Sequence, residues 1–503
     1  MVKKTNRIRA IGAASVFGVA LSTASIGIAP AFAEDATSVV SNPGNIDFSK
    51  SGSITVHKRD LGTDATAPAT GNANDNAPGQ PLAGAGFKLY NVTNADLKTN
   101  AGFAAAAALT PGTAQIGTVA GTGVSDAAGL VNFGDLPVGV YLLRETGAPE
   151  GYTPSADAIV FVPMTNPEKT DEWNYDVHVY PKNSKNETTK TVEDAGDNAG
   201  DSISYTITGD VPKLASDDTV ISKDTVISKY VVKDDLDETR LDSPSAIEVS
   251  LSDGTALVKD TDYTQSVDPD TLQVNVTFTK AGLEKLTAAK KADADVKVVT
   301  KITATLKKIG DSMDLKNEAT TITNNGGGGG DTTTPSKPVH TYHGNLRVNK
   351  TGDDKPLAGA EFQVYECVDQ SNLGRGPLTV GGVDKWTTNE QGSLVIESLH
   401  VTDYENGAEV SPTKKYCLVE TKAPEGYELL PTPVAVEFTR ASVGGTSDVE
   451  GDNAITQVAQ IENVKSTTPN LPLTGGAGVG LLAAIGAAIV AAGAYIARRL
   501  NRA

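Results

Sequence analysis

Tyr141-Leu-Leu-Arg-Glu145-Thr-Gly-Ala-Pro-Glu-Gly-Tyr152 returns late in the chain as Tyr416-Cys-Leu-Val-Glu420-Thr-Lys-Ala-Pro-Glu-Gly-Tyr427. Each copy is an apolar run closed by Ala-Pro-Glu-Gly, the pattern of a strand entering a turn. Side chains alternate faces along a strand, so Tyr141, Leu143 and Glu145 share one face, as do Tyr416, Leu418 and Glu420. A glutamate in phase with apolar residues points at the core. Burying an unpaired charge is very costly, so both glutamates must be neutralised or paired.

The repeat reaches further in both directions. Leu82-Ala-Gly-Ala-Gly-Phe-Lys-Leu-Tyr90 matches Leu357-Ala-Gly-Ala-Glu-Phe-Gln-Val-Tyr365. Short strands ending in lysine open both copies, Ile54-Thr-Val-His-Lys58 and Leu346-Arg-Val-Asn-Lys350. Lys58 is in phase with Ile54 and Val56, and Lys350 with Leu346 and Val348. At the far end Asn183 is grouped with Val177 and Val179, and Asn463 with Ala459 and Ile461. Each repeat therefore aims a Lys, a Glu and an Asn inward. The stretch between the repeats lacks the glutamate run. It has Lys190 in Thr188–Val192, Asp234 in Tyr230–Leu236 and Asn317 in Leu315–Ala319, each in phase with apolar neighbours.

Gly, Thr, Asp, Val and Ala abound, aromatics are few, and amphipathic helical pattern is scarce. Short alternating segments between Gly, Pro, Asn and Asp clusters predict an all-β chain of tandem sandwich domains, and the length allows about three. The domains read as residues 34–183, 184–325 and 340–465. Between the last two, Gly326–Gly330 and the Thr/Pro run after it read as a flexible, then stiffer linker over 326–339. The Ala-rich stretch Asn94–Leu109 reads as an inserted helix.

The N-terminus carries Lys3, Lys4, Arg7 and Arg9, then an apolar stretch from Ile11 to Ile28 and Ala31-Phe32-Ala33. That is the build of a secretory signal peptide over residues 1–33. At the other end, residues 466–503 hold Leu471, Pro472, Leu473, Thr474 and Gly475, an uncharged run to Ala497, and Arg498, Arg499 and Arg502. The run is long enough to span a bilayer as a transmembrane helix, and the arginines favour the cytoplasmic side. The full chain carries 43 Lys+Arg against 62 Asp+Glu, a net of −19; the leader holds four of the bases and the tail after Thr474 three, with no acid in either, so the mature piece stands at −26. That charge argues against nucleic acid and anionic lipid as partners. The two cysteines, Cys367 and Cys417, in an exported chain predict a disulfide. In the chain-entropy view, closing that loop contributes about 4 kcal/mol.

The pentapeptide, apolar run and basic tail resemble the L-P-x-T-G cell-wall sorting signal of Gram-positive surface proteins. The resemblance implies that a sortase cleaves between Thr474 and Gly475 and passes the Thr474 carbonyl to an amine. The Lys, Glu and Asn repeats resemble the collagen-adhesin B-type (CnaB) immunoglobulin-like domain, and the glutamate strand the E-box of pilins. The resemblance implies a self-formed Lys–Asn amide in each repeat, Lys350–Asn463 promoted by Glu420 and Lys58–Asn183 promoted by Glu145. The middle segment is similar to the middle domain of three-domain pilins, where an aspartate replaces the glutamate; this implies Lys190–Asn317 with Asp234, while Asp235 and Asp237 stand as alternative acids. Trp173-Asn-Tyr-Asp-Val-His-Val-Tyr-Pro-Lys182 resembles the pilin motif W-x3-V-x-V-Y-P-K at every fixed position. Lys182 has the opposite parity to Val177 and Val179, so its amine faces out while Asn183 faces in.

Together these resemble the shaft (major, backbone) pilins of Corynebacterium and Actinomyces. The family implies head-to-tail polymerisation through Lys182 and Thr474, and a fimbria covalently attached to the cell wall that supports adhesion. It also implies as partners a class C-type pilin sortase, a housekeeping sortase, other copies of the chain, a tip pilin or adhesin, and peptidoglycan. The alternatives are a monomeric L-P-x-T-G-anchored adhesin, which the complete pilin motif opposes, and a surface enzyme, for which no turnover constellation is present. His57, His178, His340, His343 and His400 are scattered, and His340-x-x-His343 reads as a solvated pair in the linker. Asp260-Thr-Asp262 and Thr63–Asn76 lack EF-hand spacing, and neither a metal nor a cofactor is expected.

Overall fold

A computed structural model of the chain describes residues 45–60, 70–74, 76–166, 168–169, 172–215, 226–309, 312–327, 329–444 and 456–466. The leader at 1–33, the pentapeptide Leu471–Gly475 and the apolar run after it lie outside the described residues. Among the described residues no helix is long and apolar enough to cross a membrane.

Strands dominate, and they enclose three separate hydrophobic cores. In the N-terminal module, Ser51–His57 lies between Asp176–Val179, which runs parallel to it, and antiparallel Leu130–Pro137. The facing sheet has the order Ile116–Val124, Gly86–Val92, Gly139–Gly147, Ala158–Val162. Ile54, Val56, Val177 and Val179 from one sheet meet Phe87, Leu89, Leu143 and Phe161 from the other. The C-terminal module repeats this plan. Val339–Gly352 pairs in parallel with Thr456–Glu462 and antiparallel with Ser393–His400. The facing sheet centres on Glu361–Asp369 and Lys415–Lys422. The middle module packs a four-stranded sheet, Thr188–Glu193, Ser202–Asp210, Lys297–Thr305, Ala246–Leu251, on a five-stranded one. These are tandem all-β Ig-like sandwiches, as the period-2 patterning requires.

The inserted helix is present as Asn100–Ala107, capped by the Thr99 side chain. A second helix, Lys280–Ala292, was not anticipated; Thr279 caps it, and Leu283, Leu286 and Ala289 meet the middle core. The linker at 326–339 is corrected in its second half. Thr332–Pro335 is an edge strand paired with Ala319–Asn324, burying Thr332 and Thr334. Threonine is abundant in linkers but is β-branched and suits strands. The strand Val339–Gly352 then joins two modules: its start pairs with Asp314–Asn317 and the rest belongs to the C-terminal sheet. The histidine reading is corrected too. His340 Nδ1 lies 2.9 Å from Asp314, and His343 is fully buried, its Nε2–H donating to the Asp197 carbonyl at 2.9 Å. Cys367 and Cys417 form the expected disulfide across neighbouring strands, with Cα atoms 5.8 Å apart.

Candidate functional site: three buried lysine–acid–asparagine sets

In the N-terminal module, Lys58 directly follows the central strand Ser51–His57, and Asn183 lies in Lys182–Lys185, a short strand that runs parallel to Arg59–Asp60 just after that lysine. Glu145 comes from the facing sheet. All three are essentially sealed from solvent, at 0%, 0% and 1% exposure. The Lys58 amine donates to Glu145 Oε2 at 2.8 Å and also to Asn183 Oδ1, and Asn183 Nδ2 donates to Glu145 Oε1 at 2.6 Å. The amine also lies 5.7 Å from the centre of the Phe87 ring. Burial pushes the Lys58 ammonium down to about 8 against the opposing pull of Glu145.

The C-terminal set has the same sources. Lys350 and Asn463 come from parallel neighbours, and Glu420 from the facing sheet, across from Phe362. Asn463 Nδ2 donates to both Glu420 oxygens at 2.9 Å. The Lys350 amine donates to two backbone carbonyls, Thr351 at 3.1 Å and Ile461 at 3.2 Å. Burial again lowers its pKa. In the middle module Lys190 and Asp234 face each other across the sandwich at 2.5 and 2.6 Å, with the Tyr205 ring centre 4.7 Å from the amine. Burial lowers the Lys190 pKa and raises that of Asp234, although each charge steadies the other. Asn317 is buried here beside Asp234 and Tyr205, and its side chain helps to steady the charge of both. Of the alternative acids, Asp235 is exposed and Asp237 is held by Arg240 at 2.7 Å, so of the three it is Asp234 that faces Lys190.

Two features escaped the sequence reading. In both repeats the backbone amide ten residues after the glutamate donates to it, Ser155 N to Glu145 at 2.8 Å and Leu430 N to Glu420 at 2.9 Å. A glycine also seats each lysine. Lys58 N donates to the Gly129 carbonyl at 2.6 Å and Lys350 N to Gly392 at 2.7 Å. Both glycines have positive φ, and a Cβ there would meet the lysine carbonyl at 2.3 or 2.5 Å. Aligning the repeats beyond their matching letters would have found the glycines, whereas a backbone amide from Ser155 in one copy and Leu430 in the other leaves no signal in the sequence.

Lys182 is partly exposed, while the adjacent Asn183 is sealed. Partial burial and the nearby charges of Arg59 and Lys213 lower its pKa. Thr474 lies outside the described residues. Among the described residues no cluster of three or more His, Cys, Asp or Glu is fit to hold a metal.

Fold and sites define a structural chain of tandem Ig-like modules, each with a lysine, an acid and an asparagine in its core. Residues 49–184 match the family model described as the N-terminal domain of Gram-positive pilin subunit D1, and residues 344–453 match a prealbumin-like fold domain. A fimbrial subunit type 2 of Actinomyces naeslundii is 33% identical, over 97% of this chain and 96% of its own length. The full-length major pilin SpaD of Corynebacterium diphtheriae is 38% identical with a TM-score of 0.68, covering 84% of this chain and 99% of that one. The major pilin SpaA of the same organism, whose structure is described as pointing to a modular pilus assembly with stabilizing isopeptide bonds, is 25% identical with a TM-score of 0.59 over 82% of this chain and 100% of its own. The chain belongs to the family of Gram-positive fimbrial subunits, the major pilins. It is a structural subunit of a surface fimbrium, assembled with other pilin copies, and not an enzyme.

Proposed function

We propose that this chain is the shaft pilin of a sortase-built fimbria and is stiffened by its own Lys–Asn amides. The observation that carries the reading is the contrast between neighbours: Lys182 offers a partly exposed amine while Asn183 is buried against Lys58 and Glu145. A sortase thiol cuts after Thr474 and holds the acyl group. The Lys182 amine of another copy then attacks that carbonyl, and repetition gives a head-to-tail fibre whose last subunit passes to peptidoglycan through a housekeeping sortase. A tip pilin leads the fibre.

Within each module, burial favours the neutral lysine amine, which is the nucleophile. Its Nζ attacks Cγ of the asparagine while the acid, which holds the asparagine Nδ2 in both repeats, relays protons from the amine to that departing nitrogen. A C–N bond forms, the Cγ–Nδ2 bond breaks, and Nδ2 leaves as ammonia. The buried charge disappears with the reaction. Boiling cell-wall extracts in SDS tests the assembly: a high-mass ladder is expected, reduced by Lys182→Ala to a wall-linked monomer. Thr474→Ala removes both polymer and wall linkage. An undiminished ladder from Lys182→Ala makes another lysine the acceptor.

A further inference from the structure

The carboxylate of Glu145 is held by the far end of a loop. Residues 146–154 follow Glu145 and bring Ser155 back to it. The Ser155 amide donates to Glu145 Oε2 at 2.8 Å and the Ser155 hydroxyl at 2.7 Å. The same oxygen receives the Lys58 amine, and Oε1 receives Asn183 Nδ2. The place of Ser155 therefore sets the place of the acid between the two groups to be joined.

Part of the grip on this loop comes from another module. One side is local. Asn186 N donates to the Gly151 carbonyl at 2.7 Å, and Tyr152 and Thr153 pair with Lys185 and Ser184. The other side is the middle module. Gly151 N donates to the Thr333 carbonyl at 3.0 Å, the Thr332 hydroxyl to the Tyr152 carbonyl at 2.9 Å, and Asn325 Nδ2 to the Pro154 carbonyl at 3.3 Å. Thr332 and Asn325 are buried, at 3% and 2% exposure, so these bonds are shielded from water. Gly329 lies against the same loop; a Cβ on it would collide with the Pro154 side chain and come 3.0 Å from the Glu145 carbonyl. Pro154 immediately precedes Ser155, so the middle module fixes the residue next to the one that holds the acid.

The C-terminal copy is tied locally. There Leu430 N takes the place of Ser155 N. In the loop before it, Ser466 N donates to the Gly426 carbonyl and Glu428 N to the Val464 carbonyl, each at 2.9 Å. Both ties come from the chain leaving the same module, and Ser466 on Gly426 is the counterpart of Asn186 on Gly151.

We propose that Asn325 and Thr332 of the middle module are positioning residues for the N-terminal Lys58–Asn183 amide, which forms once the two modules have docked, while the C-terminal bond needs only its own module. The inference rests on the amide reading above and names the part of the chain that controls it. The acid must reach both the lysine amine and the departing Nδ2, and a displacement of about 1 Å at such a site costs on the order of 100-fold in rate. Folding then runs in order: the middle module closes, its strand Thr332–Pro335 grips the loop, and Lys58 joins Asn183 afterwards.

Pulse-labelled cells expressing the full chain supply the test. Wall extracts are digested at intervals, and mass spectrometry reads the fractions of Lys58 joined to Asn183, Lys190 to Asn317 and Lys350 to Asn463. Asn325→Ala with Thr332→Val is expected to slow the first joining about tenfold or more and to leave the other two unchanged. Thr332→Ser, which keeps the hydroxyl, should react at the wild-type rate, whereas Thr332→Val, which keeps the shape, should not. Gly329→Ala should slow the same joining by pushing on Pro154. An unchanged Lys58–Asn183 rate in the double variant overturns the positioning role and leaves the amide intact. Slowing at Lys190–Asn317 as well, or equal slowing in Thr332→Ser and Thr332→Val, assigns the effect to folding of the middle module and overturns it too. A wild-type chain in which Lys58 and Asn183 are never joined removes the amide itself from this module.

Discussion

Lys58 carries the sharpest electrostatic consequence of the fold. Its ammonium titrates near 8 when folded, against 10.5 for the ordinary group, because burial penalises the charged form. A depressed folded pKa means the unfolded chain binds the proton more tightly. The penalty is full below about 8, declines as pH rises through the interval and is gone above about 10.5. In a chain that cannot form the amide, Asn183→Ala, the N-terminal module should gain up to about 3 kcal/mol between pH 8 and 10.5. Chemical denaturation at several pH values measures it. The same chain with Lys58→Met should lack the gain; equal profiles in the two would mean the lysine is not what titrates. Glu420→Ala is expected to add the mass of one ammonia to the soluble fragment and to lower its melting temperature, because Lys350 is then left buried and unlinked. Intact-mass spectrometry checks this, and a wild-type mass equal to the sequence mass apart from the disulfide would end the cross-link proposal. Strand parity made these residues legible, since a Lys, Glu or Asn in phase with valines and leucines has nowhere to point but inward. Parity was weaker at choosing among Asp234, Asp235 and Asp237. That choice depended on Arg240, three residues away and close only once the turn had formed.

Elements were legible where they alternate and obscure where composition misleads. The Thr332–Pro335 strand looks like linker because its neighbours are glycines, and only the pairing partner Ala319–Asn324 makes it a strand. The helix Lys280–Ala292 has its cap in Thr279, yet it sits among strands and offers only a short apolar stripe. The glycines beneath the lysines show how elements hold a site. Gly392 has φ +67°, and a Cβ would come 2.5 Å from the Lys350 carbonyl. Gly392→Ala should cost roughly 1–3 kcal/mol through backbone strain alone, and it should slow amide formation in that module by displacing Lys350. Thermal melts and a mass time course after refolding report the two effects separately; neither changing would mean that the strand absorbs the methyl. The disulfide joins two strands of one sheet, and Cys417 alternates with Tyr416 and Leu418, away from Glu420. Reduction is therefore expected to lower stability by roughly 2–4 kcal/mol without altering the ammonia loss.

Across the whole molecule, a fibre loaded between Lys182 and Thr474 leaves the N-terminal sandwich out of the path of force. With the proposed amides in place, tension passes from Lys182 to Lys190, crosses to Asn317, follows the chain to Lys350, crosses to Asn463 and leaves toward Thr474. The bodies of the middle and C-terminal sandwiches are bypassed. Residues 318–349 are not. They contain Ala319–Asn324, Thr332–Pro335 and most of the shared strand Val339–Gly352. Strand pairing holds them within the two sheets, and a clasp between modules closes over Thr341. Asp194 accepts from Asn406 N at 2.6 Å and from the Thr341 hydroxyl, Asp194 N donates to Asn406 Oδ1 at 3.0 Å, and Asn198 Oδ1 accepts from His400 N at 2.9 Å. Stretching a single subunit by its ends should therefore give one short extension, on the order of 100 Å at most for a chain of that length. Asp194→Ala should lower the force of that step while leaving its length unchanged, because the clasp goes but the covalent limits stay. Removing both acids, Asp234→Ala with Glu420→Ala, should replace the short step with the much longer unfolding of two sandwiches. Force spectroscopy on the three proteins separates these outcomes, and long unfolding in the wild type would show that the load is not carried by covalent bridges.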